Sequence, residues 1–138
     1  LRILGPNQLA WLNLTGSGNE SAAHILQNPR MTIMLCAFEG KPLILRMYGI
    51  AKALHPYDDS FVEYASLFPT YAGTRQIFLM EIDLVQTSCG YAVPFYDYQS
   101  ERTTLEDWAD KQGEDRIKAY WQEKNQHSID GAPSHIIK

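Results

Sequence analysis

Cysteine is scarce. Cys36 and Cys89 are the only two in 138 residues and show no C-x-x-C spacing, so neither a disulfide framework nor a dithiol redox or zinc motif is expected. Long apolar runs are missing as well: no stretch reaches the ~18 residues of a membrane-spanning helix, and no charged-then-apolar leader opens the chain. No membrane partner is expected, and the reading is cytoplasmic. Positive charge is not in excess either. Twelve Lys and Arg face sixteen Asp and Glu, for a net charge of −4, and the basic residues are scattered, so nucleic acid is not an expected partner. His24, His55, His127 and His135 form no H-E-x-x-H or similar spacing, and no metal is expected.

What is present suits a single globular domain over residues 1–138, since 45% hydrophobic and 20% charged residues supply both a core and a solvated surface. The opening "LRIL" reads as strand interior with no initiating Met. The chain is therefore expected to begin partway through a longer product, with N-terminal strands of its fold missing.

"LTGSGNESAAHIL" (14–26) places two glycines between a strand-like and a helix-like run. Such a turn offers free backbone N–H groups and the positive end of a helix dipole to a phosphate. A dinucleotide-binding fingerprint would need a third glycine where Ser21 stands, and then a parallel crossover. Instead "MTIMLCAF" (31–38), the turn "EGKP" and "LILRMYGIAKAL" (43–54) read as an antiparallel hairpin. The dinucleotide fold is excluded.

The remaining elements follow from periodicity and punctuation. "QLAWLNL" (8–14) alternates as a half-buried strand. Ser17 with Glu20 matches a capping box opening a short helix closed by Pro29, and Glu20 is assigned that structural role. Residues 59–68 place Phe61, Tyr64, Ala65 and Phe68 on one helical face. Residues 75–87 form a long strand with Ile77 and Leu79 opposite Phe78 and Met80. Thr103 with Glu106 suggests a second capping box, opening a helical extension over 103–138 interrupted at Gly113, with Ile117, Tyr120 and Trp121 in one stripe. The expected class is mainly β with peripheral helices, an antiparallel sheet able to curl into a small Greek-key-like barrel.

Together "LTGSGNESAAH", "NPRMTIMLCAFEG", "ILRMYGIAKALH", "DLVQTSCGYAVP" and "YWQEKNQHSIDGAP" resemble the pyridoxamine 5′-phosphate oxidase-related family of FMN-binding split β-barrels. The resemblance implies a homodimer with FMN in a groove between subunits and oxidoreductase chemistry on a small-molecule substrate. It implies cofactor contacts from Leu14, Thr15, Gly16, Ser17, Gly18, Asn19 and Ser21, with Thr15 matching a threonine the family uses, and from Arg2 as the remnant of an upstream basic strand. True pyridoxamine phosphate oxidases carry a Ser-Arg-Lys triplet where this chain has Asn19, Glu20 and Ser21. They also carry an Arg-Gln pair where it has apolar residues around Ile44. Both departures count against the vitamin B6 reaction itself.

Gln86, Thr87 and Ser88 leave a strand before Gly90 and are further candidate ligand contacts, against a plain β-bulge and turn. Cys89 has no activating base nearby in sequence, and Cys36 is assigned to the core. Arg30, Arg46 and Arg75 are either anion contacts or ordinary strand-edge charges. Trp108, Tyr120 and Trp121 are assigned to packing or dimer contacts, with a flavin lid as the alternative. Two alternatives to an FMN enzyme stand open: a flavin-binding or flavin-sensing module without turnover, and a deazaflavin in place of FMN.

Overall fold

The computed structural model describes residues 1–138. Its strands are β1 (Arg2–Gly5), β2 (Gln8–Leu14), β3 (Arg30–Cys36), β4 (Ile44–Leu54) and β5 (Thr74–Ser88), and its helices are α1 (Glu20–Gln27), α2 (Phe61–Ala65) and α3 (Thr104–Lys124). The strands form one five-stranded sheet in the order β1-β2-β5-β4-β3, antiparallel throughout. β1 and β3 remain at the two edges. The sheet is consistent with a split barrel, but the barrel expected from the sequence is not closed.

β5 is central because both its faces are apolar over residues 77–80. Ile77 and Leu79 pack with Ala10 and Leu54, and Leu12, Phe61, Tyr64 and Phe68 cover that side. On the opposite face Met80 packs with Leu9 and Ala51, and Phe78 with Ala22 and Ile25 of α1. The two helices thus clothe the two faces, as alternation along a strand requires. A third, separate cluster joins Ala109, Ile117 and Trp121 of α3 to Ile136 of the C-terminal tail.

Both capping boxes fail to form. Asn19, not Ser17, occupies the N-cap of α1, and no side chain caps that helix. The Asn19 side chain is drawn into the sheet by Gln76, while the Glu20 carboxylate, at the cleft edge beside Gly18, accepts the Ile129 N–H at 2.8 Å. Thr103 does occupy the N-cap of α3, but its hydroxyl donates to the Asp107 carboxylate. Other hydrogen-bond partners outcompete the free N–H groups of the first turn for these side chains. Gly113, at φ 73°, breaks α3 where the sequence places an interruption. Cys36 is half-buried at the end of β3 rather than in the core.

Candidate functional site

β2, the segment from Gly16 to Ser21, β3 and β5 enclose an open cleft of about 910 Å³, at the upper end of the range of small-molecule sites. Its floor is apolar. Trp11 on β2 faces Phe78 on β5 across a paired register, and their rings stack at 4.8 Å and 14°, a pair worth ~1 kcal/mol beyond its buried area. Met31 and Ile33 of β3 complete the apolar wall. One rim is backbone: the N–H groups of Gly16, Ser17 and Gly18 donate to no protein acceptor.

Behind this rim lies a buried polar layer. Gln76 Nε2 donates to Asn19 Oδ1 at 2.6 Å and to Asn13 Oδ1 at 3.2 Å. Arg75 is only 4% exposed. It donates from Nε and Nη2 to Asn13 Oδ1 and from Nη1 to Gly18 O and to Asn125 Oδ1. Burial pulls its pKa down to about 10, which leaves it charged at neutral pH. Arg75 is therefore not a strand-edge charge; it lies on the central strand and contributes to the cleft wall.

The C-terminal segment holds the glycine turn from outside. Trp121 Nε1 donates to Thr15 Oγ1 at 2.9 Å, Thr15 Oγ1 donates to Gly73 O, and Asn125 Nδ2 donates to Gly16 O at 3.0 Å. Trp121 is thus a packing residue, and Trp108 and Tyr120 meet edge to face at 5.4 Å in the same cluster.

The expected contacts divide into four groups. Gly16, Ser17, Gly18, Asn19 and Ser21 line the cleft, whereas Leu14 pairs with Thr74 and Thr15 is buried with its hydroxyl engaged, so neither does. Arg2 lies on the edge strand, donating to Leu67 O with its guanidinium 5.3 Å from the Phe68 ring; its neighbour Leu1 reaches the cleft instead. Gln86, Thr87 and Ser88 occupy the far end of β5, ~33–40 Å of extended strand from Gln76 at ~3.3 Å per residue. There Arg46 donates to Ser88 Oγ and Tyr48 to Gln86 Oε1. Within one chain these three do not join the cleft.

Sequence reading missed Trp11, Asn13, Gln76 and Phe78. The alternation that defines β2 puts Trp11 and Asn13 on one face, which was the available signal. Asn125 had none, because its side-chain partners Arg75 and Gly16 lie 50 and 109 positions away in the chain.

A latch ties α1 to the tail. His24 Nε2 lies 2.9 Å from Asp130 Oδ1, Ser128 hydrogen-bonds the same carboxylate, and the Glu20 side chain sits beside them, with ligand-type atoms of Glu20, His24 and Asp130 within 4.8 Å of one another. Hydrogen bonds from Ser128 and then His24 hold Asp130 down to about 2, and the Asp130 partner raises His24. His55, buried with Nδ1 unpaired, is shifted the other way by desolvation, opposed by Asp58.

These shifts set opposite pH responses. A raised histidine contributes fully below its unfolded value near ~6.5 and loses that contribution as pH rises through its folded value; a lowered one destabilises as pH falls below ~6.5. Amide exchange at Ile129 and Asp130, corrected for intrinsic rates, should therefore accelerate between pH 6 and 8, and a His24→Gln chain should lack that change. Thermal stability should decline below pH 6 in the wild type and less so in His55→Phe. Tail protection that is flat with pH would remove His24 from the latch.

The fold and cleft define the class first: an open, antiparallel five-stranded sheet of split-barrel kind, with one face hollowed between a glycine turn and an aromatic floor. Among curated proteins the chain is similar to the pyridoxamine 5′-phosphate oxidase family protein ustO of Aspergillus flavus, 28% identical over 148 aligned positions that cover 95% of this chain and 59% of that relative. The chain thus spans about three-fifths of the relative's length. That name supports the family its motifs resemble. No protein-family model matches the chain, and no solved structure matches it.

Proposed function

We propose that the cleft binds a flavin, FMN in particular, and that the protein is an FMN-dependent oxidoreductase acting on a small molecule. The observation that carries this reading is the pairing of an apolar aromatic floor with a polar rim of free N–H groups beside buried Arg75. A planar ring system with a phosphate-bearing tail needs both surfaces at once. The residues fit the group. Trp11, Phe78, Met31 and Ile33 would take the ring, and the turn from Gly16 to Gly18 with Arg75 would take the phosphate. When bound, the flavin would supply the electron-pair chemistry, while the protein orients the ring and limits its exposure to water.

A homodimer belongs to the same proposal. Met34, Leu35, Phe38, Leu43, Leu84 and Val85 are exposed around the far end of the sheet, a concentration of apolar surface that marks an interaction site. Gln86 to Ser88 lie in that region, so a second copy seated there would bring them toward its own cleft.

One observation favours a binding module without turnover. The cleft wall offers no general acid or base except Glu20, whose carboxylate already accepts the Ile129 N–H. The deciding experiment loads the chain with FMN and follows the flavin spectrum under nicotinamide cofactors, then under pyridoxamine phosphate in air. Catalytic bleaching and recovery supports the enzyme. Bound flavin that no donor reduces supports the module, and turnover with pyridoxamine phosphate would show that Asn19, Glu20 and Ser21 suffice where the family's triplet is absent.

A further inference from the structure

Arg75 has no counter-ion. No carboxylate pairs with it, and every oxygen around its guanidinium is neutral: Asn13 Oδ1 at 3.0 Å from Nε and 2.8 Å from Nη2, Gly18 O at 2.8 Å and Asn125 Oδ1 at 2.8 Å from Nη1. A guanidinium has five N–H donors. These four bonds leave one, on Nη2, without a protein acceptor. Burying a cation among neutral dipoles costs stability that a carboxylate would return, and this fold could readily have supplied one.

Asn13 shows this most clearly. Its Oδ1 accepts from Arg75 twice and from Gln76 Nε2, and its Nδ2 donates to no protein acceptor. An aspartate there would meet all three donors with the same shape and would neutralise the guanidinium. Asn125, wholly buried, does use both ends of its amide, giving Oδ1 to Arg75 and Nδ2 to Gly16 O. It fixes the cation and the glycine turn relative to each other.

We propose that Asn13 and Asn125 are the specificity-determining residues of the cleft: they hold Arg75 in place without cancelling its charge, reserving it for a phosphate-type oxyanion seated against the N–H groups of Gly16 to Gly18. Asn13 sets the charge and Asn125 sets the geometry. The oxyanion is either the phosphate end of a flavin mononucleotide or a phosphate carried by another ligand. The assignment of the anion to a flavin rests on the function proposed above; the anion site itself does not.

The test compares wild type, Asn13→Asp and Asn125→Asp with three probes: FMN, riboflavin, which has the ring without the phosphate, and inorganic phosphate. Ring binding is read by quenching of tryptophan fluorescence and phosphate binding by the rise in melting temperature. Wild type should bind FMN about 100-fold more tightly than riboflavin, a difference of ~2.7 kcal/mol, and phosphate should compete with FMN. Asn13→Asp should melt no lower than wild type, lose at least about 30-fold in FMN affinity and change riboflavin affinity less than threefold. Asn125→Asp should lose FMN with a lower melting temperature, because the Gly16 contact goes too. Should Asn125→Asp fail to fold, Asn13→Asp alone decides the matter.

If neither flavin binds wild type but phosphate does, and Asn13→Asp abolishes that binding, the anion site stands and the flavin reading falls. Equal affinity of wild type for FMN and riboflavin, a parallel loss of both in Asn13→Asp, or no binding of FMN or phosphate would overturn the proposal.

Discussion

Gly16→Leu should abolish FMN binding, by about 100-fold or more, while shifting the melting temperature by no more than about 2 °C. A Cβ at Gly16 meets nothing within 4 Å, and the residue does not adopt a left-handed backbone. The substitution therefore resembles a surface change, ordinarily within ~0.5 kcal/mol in stability. Gly16 lines the cleft, however, so a leucine side chain there would compete with a ligand for that space. Fluorescence titration with FMN beside a thermal melt checks both halves. A loss of fold in step with the loss of ligand would make the glycine turn a structural connection and nothing more.

Gly49→Ala should do the reverse, costing stability whatever the ligand. Gly49 sits where the register between β4 and β5 shifts, and a Cβ there would lie 1.9 Å from Glu81 O and 2.8 Å from Glu81 C. Backbone cannot yield as a flexible side chain does, so the two most extensively paired strands of the sheet must separate locally. Overpacking typically costs ~1–3 kcal/mol, and each disturbed ladder hydrogen bond adds ~1 kcal/mol. A loss of about 3 kcal/mol or more is expected, equivalent to a fall of roughly 10 °C for a domain of this size. Gly5→Ala, with no atom within 4 Å of its Cβ, is the control and should stay within about 0.5 kcal/mol. A Gly49→Ala chain melting with the wild type would show that the bulge relaxes at little cost.

Strands were legible where one local pattern decides the state. The alternation in "QLAWLNL" and the apolar centre of "RQIFLMEIDL" place β2 and β5, and "EGKP" between two apolar runs gives the β3–β4 hairpin. Helix starts were less legible, since a capping box is a local competition that distant groups can win. Asn19 went to Gln76, and Glu20 went to the tail.

The candidate site was half legible for the same reason. Its glycine rim is contiguous in sequence, so Gly16, Ser17, Gly18, Asn19 and Ser21 were found, along with the helix they precede. Its floor and its charge are assembled from β2, β5 and the end of α3. Trp11 looked like one more strand residue, and Arg75 could be read equally as an anion contact or as an ordinary strand-edge charge. Only the order of the strands puts Arg75 at the centre, and only the folding of the tail brings Asn125 to it. The resemblance carried Gln86, Thr87 and Ser88 into the expected site, but on one chain they lie at the other end of β5.

Identification of whatever chromophore travels with the protein tests the central claim most directly. The purified protein should show a flavin absorbance spectrum, or acquire one when incubated with FMN and freed of excess, and denaturation should release a compound with the mass of FMN. A protein that is colourless as purified, takes up no FMN, and shows no quenching of its tryptophan fluorescence on titration would contradict the account.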